Sequence, residues 1–168
     1  MGKIDKGILF YKLGYQFTTP GLYCVKEDTK DFDEYRFYKG GIIDDWPDDI
    51  YFIFDGAPEE NFLNGGLHWR LVSDQVRQVF EDNDVQGVQF LPVTVIHNKT
   101  GKQLGPYWVI NVVQSVKKLE WNLIKDFLFV RRSTGLYISD SLKRKLEQAK
   151  VTSGASFRPI SAKILGIK

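Results

Sequence analysis

The densest group of chemically capable side chains is Asp44-Asp45-Trp46-Pro47-Asp48-Asp49, with Asp55 following shortly after. Clustered carboxylates are the oxygen ligands a hard ion such as Mg²⁺ takes, and a metal-dependent phosphoryl-transfer enzyme can be built on them. Against that chemistry, the spacing fits no calcium loop, Pro47 breaks any helix face the acids would share, and no basic phosphate clamp lies nearby. A nucleophilic hydrolase fares worse. Ser73 and Ser139 lack the Gly-x-Ser-x-Gly elbow, and a helix-capping role accounts for both. Cys24 sits in an apolar stretch with no neighbour that would lower its pKa, which is how a buried structural thiol looks. His68 and His97 are 29 residues apart with no His-Glu-x-x-His, so zinc has no ligand set. Gly40-Gly41 and Gly65-Gly66 are followed by neither a phosphate-loop Lys nor dinucleotide-binding spacing. The residues therefore assign no catalytic, cofactor or metal site.

Charge offers a different kind of chemistry. The formal net charge is +2, yet residues 27 to 60 hold twelve acids against three bases (Lys30, Arg36, Lys39), a local net of −9. The rest carries +11, of which residues 117 to 168 contribute +8. Such a split neutralises itself across a fold or presents a patch to a partner of opposite sign, where it speeds encounter. The near-neutral total speaks against general nucleic-acid binding, which needs a dominant basic footprint; Lys143, Arg144 and Lys145 keep a nucleic-acid or small-ligand module as an alternative. Fourteen of the 24 aromatic residues fall in the first 62, and most serve a core. Trp46 and Tyr51, inside the acidic stretch, are candidates for exposed interface anchors.

The elements that must position these groups follow from pattern. With 168 residues and 43% hydrophobic composition the chain is read as a single α+β domain, 1–168. One cysteine rules out an internal disulfide. No apolar run reaches the ~20 residues of a membrane helix, and no secretory signal opens the sequence, so a cytoplasmic protein without a membrane role is expected. Strands are expected at 21–25, 50–54, 87–97 and 106–116, the last two as an antiparallel hairpin closed by Asn98-Lys99-Thr100-Gly101. The continuous run 50–54 reads as a buried central strand, and Pro92 as an edge or bulge position. Residues 26–41 read as loop with room for short elements, and 57–66 as loop. Ser73 caps a helix with Val76, Val79 and Phe80 on one face, ending near Asn83.

The chain then repeats itself. Leu71 to Glu81 is echoed by Tyr137 to Glu147, and with one inserted residue Val85, Gly87, Phe90 and Pro92 meet Val151, Gly154, Phe157 and Pro159. Two copies are too few for a solenoid. They predict a mostly antiparallel sheet with two similar Ser-capped helix-strand units packed on it.

Leu71-Val72-Ser73-Asp74, Gln89-Phe90-Leu91-Pro92-Val93, Tyr107 to Val112, Leu119-Glu120-Trp121 and Ile138-Ser139-Asp140 together resemble one family of bacterial immunity proteins, encoded beside polymorphic toxins and first named from a myxobacterial protein. The resemblance spans about residues 67 to 160; residues 1–66 are the acidic, aromatic-rich part of the same domain. Where relatives have Leu-Asp-Trp with a nearby Ser, this chain has Leu119-Glu120-Trp121-Asn122. The family supplies no agreed catalytic residues. It implies a non-enzymatic protein that binds and neutralises a cognate toxin. With the charge split, it nominates Asp44, Asp45, Trp46, Asp48, Asp49, Asp55, Glu59 and Glu60 as the toxin-facing set, with no cofactor. The alternative is a metal-dependent enzyme using the Asp44–Asp55 carboxylates.

Overall fold

A computed structural model describes residues 10–15, 23–56, 60–66, 69–113, 129–132 and 135–160. Among these residues, ten strands and three helices form a mixed α+β structure with two sheets. The larger sheet has the order β2-β3-β6-β7-β5-β4: Tyr23–Asp28 (β2), Tyr51–Asp55 (β3), Val88–His97 (β6), Gln103–Val112 (β7), Arg70–Ser73 (β5) and Phe62–Asn64 (β4). The smaller runs β10-β1-β9-β8: Ala155–Ile160 (β10), Phe10–Tyr15 (β1), Gly135–Ser139 (β9) and Phe129–Arg132 (β8). All the described ladders are antiparallel except β3 with β6.

The 3.6-residue pattern after Ser73 folds as helix α2, Asp74–Asp82, and Ser73 Oγ accepts from Val76 N at 3.3 Å. Helix α3, Asp140–Gln148, starts the same way, with Ser139 Oγ accepting from Leu142 N at 3.2 Å. Each cap satisfies a donor that the first helical turn leaves open, worth about 1 kcal/mol.

The larger sheet has two apolar faces. One packs Val72, Ile110 and Val112 with Val76 and Phe80 of α2, Leu142 and Leu146 of α3, and Leu13, Leu136 and Ile138 of the smaller sheet. The other packs Leu71, Val109, Leu91, Val95, Phe52 and Phe54 against Phe37, Ile43, Ile50 and Trp69. Alternation along each strand sends successive side chains to opposite faces, so Leu71 and Val72 serve different cores.

Several expectations need correction. The strand expected at 21–25 extends instead through Asp28, while the room left for short elements in 26–41 is taken by one helical turn (α1, Arg36–Lys39). Phe62–Asn64 is a strand, not loop, because it finds β5 as its partner. Of the two readings of Pro92 the edge fails and the bulge holds: it lies in the interior of the sheet order, but β3 joins β6 only from Thr94 onward. The missing N–H thus falls where no ladder bond is needed, and a register shift follows between Val93 and Val95. The departures at Glu120 and Asn122 lie outside the described residues.

Candidate partner-binding surface

The acidic stretch is built as a layer over the second face of the larger sheet. At its start Lys30 and Asp31 take left-handed φ values of 53° and 57°, and Asp28 holds both the backbone and the ammonium of Lys30. The Asp33 carboxylate accepts from Tyr35 N at 3.1 Å, setting up α1. The sheet then grips the chain through side chains. Gln89 and Asn111, partners across β6 and β7, point amides at this layer: Gln89 accepts from Ile43 N and donates to Ile43 O, while Asn111 donates to Gly41 O. Asn111 is fully buried, so its bond to Gly41 replaces water that the amide has lost. Phe32, Phe37, Trp46 and Trp69 fill the space beneath with ring centroids 5.0–6.3 Å apart.

The nominated residues divide sharply. Asp44, Asp45, Asp48 and Asp49 are exposed. Asp45 makes a two-pronged pair with Arg36, Nη1 to Oδ2 at 2.9 Å, which holds its carboxyl below the ordinary carboxylate value. Asp49 takes a left-handed φ of 61° at the turn into β3. Trp46 is not an open anchor: it belongs to the aromatic cluster, and its indole donates to Pro92 O at 2.9 Å. Tyr51 lies within β3 with the Lys30 ammonium 5.9 Å from its ring centroid. Asp55 closes β3 half-buried, and Glu60 is only 6% exposed, its carbonyl accepting from the Tyr107 hydroxyl at 2.9 Å. Burial removes Glu60 from any surface a partner could reach. Glu59 lies outside the described residues, as does His68.

Sequence reasoning missed three side chains. The described large apolar residues that stand exposed are Val25, Tyr35 at 65% and Ile42 at 60%, all near or within this same layer. Their signal was obscured because the segment has no period: Tyr35 points out while Phe37, two residues on, points in.

The remaining chemistry is occupied by structure. His97 Nδ1 lies 3.2 Å from Thr100 N and 3.0 Å from Thr100 Oγ1, closing the β6–β7 turn. Burial and the nearby Glu27 push the Cys24 thiol up to about 11, away from the nucleophilic thiolate. Among the described residues no group of three or more His, Cys, Asp or Glu converges to hold a metal ion. A cleft of about 280 Å³ opens beside the start of α2, but Ser73 there bonds Asn61 and Asp74 bonds Trp108 and Arg77. No described helix is long and apolar enough to cross a membrane.

Fold and site together define a mixed α+β protein in which one fastened layer carries four exposed aspartates beside exposed Tyr35 and Ile42. The chain belongs to the Immunity protein family (Imm11), whose model matches residues 10–120. The match begins well before the resemblance read from the sequence and takes in the acidic layer, while β9, α3 and β10 lie beyond it. Membership points to toxin immunity. A comparison with curated proteins finds no match.

Proposed function

We propose that this chain is a bacterial, cytoplasmic immunity protein that neutralises a cognate toxin by direct contact and without catalysis, acting as one domain. The observation that carries the reading is the acidic layer inside the family-matched region, with Asp44, Asp45, Asp48 and Asp49 exposed beside Tyr35 and Ile42. Carboxylates around an exposed aromatic suit a basic partner: the charges steer encounter and the ring provides a desolvated anchor. Many toxin domains are basic because they act on nucleic acids, whose backbone is polyanionic. The two Ser-capped helix-strand units form the frame beneath this layer.

The layer is bound to the sheet by Gln89, Asn111 and Trp46, so little ordering entropy is lost on binding. The test titrates this protein into a fixed amount of the toxin encoded beside its gene and follows the toxin's activity. Inhibition should reach completion at a fixed stoichiometry, with both proteins recovered unmodified. Neutralisation of many toxin molecules by one molecule of this chain would contradict the reading and favour an enzyme.

A further inference from the structure

We infer that β1 with residues 135–160 forms a second copy of the unit made by residues 70–112, each copy locked by the same three-residue clasp between its helix and its central strand.

The topology is shared. In the first unit β5 and β6 both run antiparallel to β7, which lies between them, so β5-α2-β6 is a crossover split by a third strand. In the second, β9 and β10 both run antiparallel to β1, which lies between them, so β9-α3-β10 is split in the same way. The registers agree residue by residue. Ser73 faces Tyr107 and Val72 faces Trp108; Ser139 faces Phe10 and Ile138 faces Tyr11. On the other side Pro92 faces Trp108 and Phe90 faces Ile110; Pro159 faces Tyr11 and Phe157 faces Leu13.

The helix ends match as well. Asp84 and Lys150 both take left-handed φ, at 50° and 58°, and donate to Glu81 O and Glu147 O. Val85 N and Val151 N then return to Phe80 O and Leu146 O. A sheet ladder and a helix exit specify different parts of the backbone, so their agreement is not one coincidence counted twice.

The clasp is the sharpest correspondence. In the first unit the Trp108 indole donates to Asp74 Oδ1 at 3.1 Å, and the Arg77 guanidinium lies 4.8 Å from the indole centroid. In the second the Tyr11 hydroxyl donates to Asp140 Oδ1 at 3.2 Å, and the Lys143 ammonium lies 4.9 Å from the phenol centroid. Each cation sits three residues after the Asp and pairs with a glutamate four residues further on, Arg77 with Glu81 and Lys143 with Glu147. A ring donor on the central strand, a first-turn carboxylate and a cation over the ring recur in both, while the ion pair on the carboxylate shifts: Asp74 pairs with Arg77 itself and Asp140 with Arg144. Tyr11 and Trp108 are thus positioning residues that fix the central strand against the helix start. In the second unit that strand comes from more than 120 residues away in sequence.

β4 on the outer side of β5 is matched by β8 on the outer side of β9, so the duplication leaves residues 23–56 without a counterpart among the described residues. Resting on the toxin-binding reading, recognition then belongs to that unpaired layer and the clasps serve only the frame.

The test is a pair of double-mutant cycles on the full chain, Tyr11→Phe with Asp140→Asn and Trp108→Phe with Asp74→Asn, read by urea unfolding. Each cycle should show non-additivity of about two- to tenfold in the folding equilibrium constant. Placing the first clasp in the second unit, Tyr11→Trp with Lys143→Arg, should leave the urea midpoint unchanged. Amide exchange of the unmodified protein supplies a readout that needs no variant to fold: β1 should be protected in one block with β9 and β10. Additive effects in the Tyr11–Asp140 cycle, a midpoint lowered by the transplanted clasp, or β1 exchanging ahead of β9 and β10 would overturn the inference. Clasp variants that lose toxin association while the cycles behave as expected would instead count against the binding reading alone.

Discussion

The two helical regions share their buried positions and differ at their surfaces. Val76, Phe80 and Val85 on one side correspond to Leu142, Leu146 and Val151 on the other, and all line one core. The outward positions have diverged in one direction: Gln78, Asp82 and Asp84 stand where Arg144, Gln148 and Lys150 stand in the second, and half-buried Val79 gives way to exposed Lys145. Each of these changes makes the second helix or its exit more positive, and residues 140–150 supply +2 of the +8 carried by residues 117 to 168. The regions differ again in what covers them. β6 continues past Pro92 to pair with β3 and support the acidic layer, whereas β10 is an edge strand among the described residues. Packing constrains the frame, and solvent leaves charge free to diverge.

Substitutions that empty the shared core test this comparison most severely. Phe80→Ala should cost about 3–5 kcal/mol and Leu146→Ala about 2–5 kcal/mol in urea unfolding. Because both side chains line one core, the double variant should depart from additivity. Gly154→Ala should fall in the same range, since Gly154 has a φ of +80° and an added Cβ would overlap the Phe62 carbonyl oxygen. Removing the caps is a smaller perturbation, about 1 kcal/mol for Ser139→Ala. Ser73→Ala should cost about 1 kcal/mol or more, because it removes with the cap the bond that Ser73 Oγ donates to Asn61 Oδ1 at 2.6 Å.

Alkaline pH probes β1. The Tyr15 hydroxyl is buried, and that burial raises its pKa above the ordinary 10.0, with Arg70 opposing only in part. The folded state therefore keeps the proton that the unfolded chain releases. Stability should fall as pH rises past 10.0, by at most about 1.4 kcal/mol per pH unit. Tyr15→Phe should flatten that slope in urea titrations at successive pH values. The smallest effect is expected from the layer itself: Asp44, Asp45, Asp48 and Asp49 all changed to Ser should move stability by about 0.5 kcal/mol or less.

Much of the frame was legible because its signals are local. Ser73 and Ser139 announce helix starts, the 3.6-residue spacing announces which face is buried, and the repeat reappears in the matched helix exits and, past its inserted residue, in the registers of Pro92 and Pro159. β1 was not legible, since residues 10–15 take their place from partners at 136–139 and 155–160. Two sheets instead of one follow from the same long-range pairing. The acidic residues were visible as composition, but their fates were not. Trp46 is packed because the layer folds down onto Gln89, Asn111 and Trp69, and Glu60 is buried beside Tyr107 and Gly154, contacts between distant segments that spacing cannot announce. Tyr35 and Ile42 became candidates only once Phe37 and Ile43 were seen to take the inward places.

The central claim is that recognition resides in the carboxylates of this layer, and association kinetics with the toxin encoded beside the gene test it most directly. At low salt the variant with Asp44, Asp45, Asp48 and Asp49 all changed to Ser should associate about tenfold or more slowly than the unmodified chain, and its rate should vary less with ionic strength. Equal association rates for the two proteins at low salt, with equal salt dependence, would contradict the account.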